Sequence, residues 1–170
     1  SLSTSAISSF SVDQMFALIT AQIAAIDPTY QVPSLTNSAI AALSSTKARA
    51  LTTAQLAALT TAQAAALTTN QVNKLTTAQV AAIETTDLVK MTTAQIAGLS
   101  SVQISALTTD QLIKLTTDQV QAIQTLELQQ MTTGQIAALT DTQVPVLTTA
   151  QIVALTTAQA AALTTNEVRD

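Results

Sequence analysis

Threonine and glutamine recur through this chain in a fixed relation, the glutamine three residues after the threonine. The clearest pairs are Thr52 with Gln55, Thr60 with Gln63, Thr76 with Gln79, Thr92 with Gln95, and Thr148 with Gln151. The chemistry open to such a pair is hydrogen bonding. At the start of a helix the threonine oxygen accepts from the third backbone N–H, and the glutamine reaches back to the threonine N–H. These threonines are therefore expected as N-caps and these glutamines as their reciprocal partners.

Catalytic chemistry is scarce by comparison. The sequence has no His and no Cys. That removes cysteine nucleophiles, histidine acid–base pairs and the usual zinc ligand sets. Glu84 and Asp87 are the closest promising carboxylates, with Glu127 forty residues after Asp87. They fit neither the EF-hand nor the Gly-Asp calcium patterns. Gly98 and Gly134 are the only glycines, so no phosphate-cradling loop exists. The expectation is a non-enzymatic segment with no cofactor and no metal site.

The elements that position the Thr–Gln pairs follow from an eight-residue period. Counting back from Asp170, seventeen octads reach Leu35; one extra residue, Ser34, precedes them; four more octads begin at Leu2, Phe10, Leu18 and Ile26. Position 1 is Leu, Ile or Met throughout the seventeen, which makes Leu51, Leu59, Leu75, Met91, Leu107, Leu115, Met131 and Leu155 expected core residues. Position 6 is aliphatic or Ala, position 2 is mostly Thr, and position 5 is Gln in twelve of the seventeen.

One continuous helix does not fit this period. At about 100° per residue the apolar stripe would drift by ~80° each octad and face no constant partner. A β-solenoid fits poorly too. Positions 1 and 6 are an odd step apart, which places them on opposite faces of a strand, and Ala and Gln are weak strand formers. One short helix per octad satisfies both objections, because position 6 and the next position 1 are then i and i+3 on one face. Asp27-Pro28 reads as an N-cap followed by Pro at the first helical position. Pro33 and Pro145 fall where such helices should end. Lys74, Lys90 and Lys114 sit at position 8, and Asp110 and Asp118 at position 4, each favourable to the helix dipole. Helices of about six residues are unstable alone and must bury their apolar face against neighbouring octads. The expected fold is all-α, a solenoid or superhelix of short capped helices, one per eight-residue repeat.

A longer rhythm lies over the octads. Those at 43–50, 83–90, 123–130 and 163–170 depart from the consensus and carry Lys47, Asp87, Glu127 and Glu167 at position 5. They recur every forty residues. Duplication of a forty-residue genetic unit explains this. So does a solenoid in which five octads make a whole number of turns, which would align these four residues as a candidate surface column. An odd number of octads per period also favours a continuously wound coil over stacked αα-hairpins. Residues 1–34, with the register break and all three aromatics (Phe10, Phe16, Tyr30), read as an N-terminal cap, and 35–170 as the array. The second reading of the aromatics is a ligand pocket.

Charged residues are only 9% of the chain, and the net charge is −4 without a basic run, which argues against nucleic acid as a partner. No apolar stretch approaches the ~18 residues of a membrane span. The opening Ser1-Leu2-Ser3-Thr4 is not a signal peptide, and the end at Glu167-Val168-Arg169-Asp170 falls in mid-pattern. A segment of a longer protein is expected, with targeting signals and neighbouring domains elsewhere.

The octads at 51–66, 91–98 and 147–162 resemble the Leu-Thr-Thr-Ala-Gln-type octapeptide repeat arrays of large bacterial secreted or surface proteins, often called adhesin-like. The resemblance implies an extracellular or cell-surface location and a role as spacer or display scaffold. Two other functions are open: a binding module presenting a repetitive Thr/Gln surface to a protein, glycan or ice, and a length-setting, secretion-associated protein.

Overall fold

The computed structural model describes residues 3–164. It is all-α, with eighteen short α-helices and one 3-10 turn, close to one per octad. Most array helices begin from a threonine in extended conformation; Ser44, Glu84, Ser100 and Gln124 take that place at four of them. Thr60 has φ −76° and ψ 158°, and its hydroxyl accepts from the Gln63 N–H at 3.2 Å. The helix Thr61–Ala66 then ends at Leu67, which returns to φ −57° and ψ 134°. Thr68 follows, extended again, and starts Thr69–Lys74. Two extended residues, Leu67 and Thr68, thus make this corner. The β-branched Thr suits that conformation, and no described non-glycine residue needs a positive φ.

The helices wind as a solenoid. Asn37–Ala42 packs on Thr61–Ala66, Ser45–Arg49 on Thr69–Lys74, Thr93–Ala97 on Thr117–Ala122, and Thr133–Ala137 on Thr157–Thr164. Each pair is three octads apart, which excludes a stack of two-helix hairpins. Position 6 (Leu56, Val72, Val80, Leu112) and position 1 (Leu51, Leu59, Leu75, Met91, Leu107, Leu115, Met131) fill one continuous core from Ile7 to Leu147. Burial of one such aliphatic side chain is worth roughly 1.5–3 kcal/mol, repeated at every octad. Leu155, expected in the core, is only half-buried, because no further coil covers it among the described residues.

The unit that begins at Ile26 forms turns in place of a helix. The Asp27 carboxylate does accept from the Tyr30 N–H at 2.8 Å, as a cap would. The backbone then widens, and the Val32 N–H reaches the Asp27 carbonyl at 3.0 Å. Gln31 Oε1 accepts from the Asp27 N–H at 2.8 Å across four residues, where other octads span three. The extra residue is therefore absorbed between Asp27 and Gln31 and not at Ser34. Gln31 and Val32 take the places of positions 5 and 6, and Val32 is fully buried.

That shift puts Pro33 at the seventh place of its unit, the same place as Pro145. The Pro145 unit is also not α-helical: a turn over 141–143 leads into the 3-10 segment Val144–Val146. Proline has no N–H for the carbonyl four residues back, and its ring crowds that carbonyl. It removes the helix of such a short unit and does not merely mark its end.

Candidate functional site

Position 5 is where the polar chemistry of the fold gathers. Gln111 is 2% exposed. Its Oε1 accepts from the Thr108 N–H at 3.0 Å, closing the capping box. Its Nε2 donates to the carbonyls of Val80 at 3.0 Å and Ile83 at 2.8 Å. Those acceptors lie 31 and 28 residues back, at the corner between two octads of the preceding coil. The position-1 carbonyl at that corner lies outside any helix, so the amide supplies what the backbone ladder does not. A buried carboxamide must find partners for its N–H groups, and here both are used.

The same pattern repeats along the chain. Thr52, Thr60, Thr76, Thr92 and Thr148 each accept from the N–H of Gln55, Gln63, Gln79, Gln95 and Gln151 at 3.1–3.2 Å. Each of those glutamines accepts in return from the Thr N–H. Their amides bond the corner carbonyls of Ile26, Leu35, Leu51, Leu67 and Ile123. Gln71, Gln103, Gln119, Gln135, Gln143 and Gln159 do likewise. The result is a ladder of side-chain amides joining each coil to the one before. One signal for it lay in the sequence. A capping box accepts Glu as readily as Gln, yet this chain uses Gln, and only Gln carries donors.

The ladder is interrupted at the departing octads. Lys47 keeps a donor: its Nζ bonds the Phe16 carbonyl and lies 4.8 Å over the Phe16 ring. Asp87 has none to offer when ionised. It is 4% exposed, and burial, then the charge of Glu84, pushes its carboxyl above the ordinary aspartate value. Glu127 Oε1 accepts from Ser101 Oγ at 3.3 Å, and its Oε2 is enclosed without a hydrogen-bond partner. Gln124 Nε2 bonds the nearby Ala97 carbonyl at 2.8 Å. Glu167 lies outside the described residues.

Lys47, Asp87 and Glu127, the three that are described, do not make a surface column. Asp87 faces inward, and packing partners three octads apart mean that five octads are not a whole number of coils. Nor do the ladder glutamines join the threonines in a repetitive surface. The ladder glutamines are buried, which leaves the threonines of positions 2 and 3, such as Thr52, Thr53, Thr60 and Thr61, outside.

The remaining surface gathers little chemistry. Phe10 lines a cavity of about 220 Å³ with Ile7, Leu18 and Gln22, whereas Phe16 and Tyr30 are exposed, so the three aromatics form no common pocket. An open recess near the middle of the coil includes Thr53, Glu84, Thr108 and Asp110. Among the described residues no three His, Cys, Asp or Glu side chains are grouped to hold a metal, and no helix is long and apolar enough to cross a membrane.

Residues 40–77 and 80–117 match the family described as the ALTTAQ repeat. The matches begin forty residues apart, the same spacing as the five-octad rhythm. Together with the helical octads they establish this chain as a repeat protein. No curated protein and no solved structure matches it.

Proposed function

We propose that this chain is a structural scaffold or spacer within a large exported bacterial surface protein, adhesin-related in role. The glutamine ladder carries this reading. It uses the recurrent polar side chains to hold one coil to the next, so octads can be added or removed without dismantling any convergent site. Stability and length in such an array scale with the number of repeats.

Removal of residues 91–114, three whole octads, tests the spacer role. The ladder should re-form in the new register, because most octads present the same groups. Small-angle scattering should then show a folded chain whose largest dimension shrinks in proportion to the octads removed. An unfolded product, or an unchanged dimension, would sink the spacer reading. Export is tested by protease treatment of intact producing cells: resistance of the array in intact cells but not in lysates would place it inside and overturn the surface assignment.

One observation favours a protein-binding role as the second reading. Val102 and Leu126 are about two-thirds exposed and occupy the same position 4 in octads three apart. Pull-down by the native chain that is lost on Val102→Ser with Leu126→Ser, at unchanged stability, would favour it.

A further inference from the structure

The octad at 83–90, in the middle of the array, departs from its neighbours at both polar positions. Glu84 stands where threonine starts most other helices and makes no cap hydrogen bond. Asp87 stands in the place of the ladder glutamine. The ladder's step, 31 and 28 residues back, sets Asp87 against the carbonyls of Leu56 and Leu59 on the preceding coil. The corners on either side, at Leu51 and Leu67, receive the amides of Gln79 and Gln95 at 2.5 Å, whereas no described side chain donates to the Leu56 or Leu59 carbonyl. Asp87 is 4% exposed, and its carboxylate has no hydrogen-bond partner among the described residues. Burial and the charge of Glu84 both act on it, and no basic side chain offsets them.

Side-chain length decides what can join this carboxylate to the corner. Aspartate is one methylene shorter than glutamine, about 1.5 Å. The ladder amides lie 2.5–3.0 Å from their carbonyls. An oxygen set back by one methylene stands about 4–4.5 Å away, past hydrogen-bonding reach. A proton on Asp87 therefore does not close the contact. A calcium ion does, because it bonds carboxylate and carbonyl oxygens at about 2.3–2.6 Å and so holds two ligands about 4–5 Å apart. Magnesium prefers shorter bonds, about 2.0–2.1 Å, and gives up its waters reluctantly. An approach lies beside the corner. The open recess, about 490 Å³, is lined by Glu84 from the octad of Asp87 and by Thr53, Ala54 and Ala57 from the octad of Leu56, with Asp110 also on its wall.

We propose that the chain binds one calcium ion between Asp87 and the carbonyls of Leu56 and Leu59. Glu84 supplies the second negative charge from the side of the recess, and water completes the shell. The acids alone match no calcium motif in the sequence because two of the ligands come from the preceding coil. Glu127 is not equivalent. There Gln124 supplies an amide to the Ala97 carbonyl and Ser101 a hydroxyl to the carboxylate.

Calorimetric titration of the chelator-treated 170-residue chain with calcium chloride at neutral pH tests this. One ion should bind, with a dissociation constant on the order of 10⁻⁴–10⁻³ M, and magnesium should bind about tenfold more weakly or not at all. Calcium should also raise the urea midpoint above its value in chelator. Asp87→Gln restores the amide of the other octads, so it should fold, as circular dichroism checks. It should bind no calcium and show the same urea midpoint with calcium as with chelator. Glu84→Gln should weaken binding several-fold, and Glu127→Gln should leave it unchanged. A native chain whose heat and urea midpoint do not respond to calcium overturns the proposal. So does binding that survives Asp87→Gln, which would put the ion on the exposed acids of the recess, or binding that is lost with Glu127→Gln.

Discussion

A glutamine side chain has two N–H donors and an accepting oxygen, and at Gln111 all three functions are engaged at once. Replacing Gln111 by Ala should lower unfolding free energy by about 2–4 kcal/mol in urea titration, from lost bonds and an unpartnered buried corner. Gln111→Glu separates the two roles. It can still cap Thr108, but as a carboxylate it offers the Val80 and Ile83 carbonyls no donor. A loss comparable to that of Ala is expected at neutral pH; near-native stability would mean that capping, and not the cross-coil bonds, is what the residue contributes.

Asp87 is the converse case, a carboxyl in an amide's place. Its folded pKa is raised, by burial first and by Glu84 second. The native state thus holds this proton more tightly than the unfolded chain does. The resulting stability is fully present below the ordinary aspartate value and is lost as pH rises through the raised folded value. Asp87→Gln should therefore be the more stable protein at neutral pH, by about 1–2 kcal/mol, with a donor now facing the Leu59 corner. The advantage should shrink as the pH falls. Urea midpoints for both proteins across the acidic to neutral range check this, and a constant difference would contradict the assignment.

At the scale of the helix, five or six residues leave no margin for a missing cap. Thr60→Ala and Thr76→Ala should each cost about 0.5–2 kcal/mol, measured by thermal or urea unfolding. The proline units test the same economy from the other side. Pro145→Ala supplies an N–H and relieves the ring, so residues 141–146 should become α-helical and stability should rise by on the order of 1 kcal/mol. Hydrogen exchange gives the direct reading: the new amide at position 145 should be protected. Rapid exchange there would show that the 3-10 segment is imposed by the surrounding coil and not by the proline.

In the whole molecule, the ladder ties residues 28 and 31 positions apart, between three and four octads. The forty-residue rhythm does not match that step. Lys47, Asp87 and Glu127 consequently fall at different places around the coil, and the weakened rungs do not stack into a continuous seam. Local opening at one such rung leaves intact rungs beside it on the same coil, as with Gln79 and Gln95 on either side of Asp87.

The octad by itself determined the helices, their caps and the apolar pair at positions 6 and 1. All of these are contacts over three or four residues, and the spacing of Thr, Gln and Leu encodes them directly. The insertion near Ser34 was visible as a break in register, whereas Pro145 read only as the end of a helix. Where the extra residue is absorbed, and how fully each proline dissolves its helix, depended on the neighbouring coils. Tertiary structure alone decided which octad stacks on which, that the glutamines point inward, and that Asp87 is buried. The physical reason is the repetition itself. Octads that mostly present the same groups carry little to label their partners, so the register between coils is set by how corners and helices close in space.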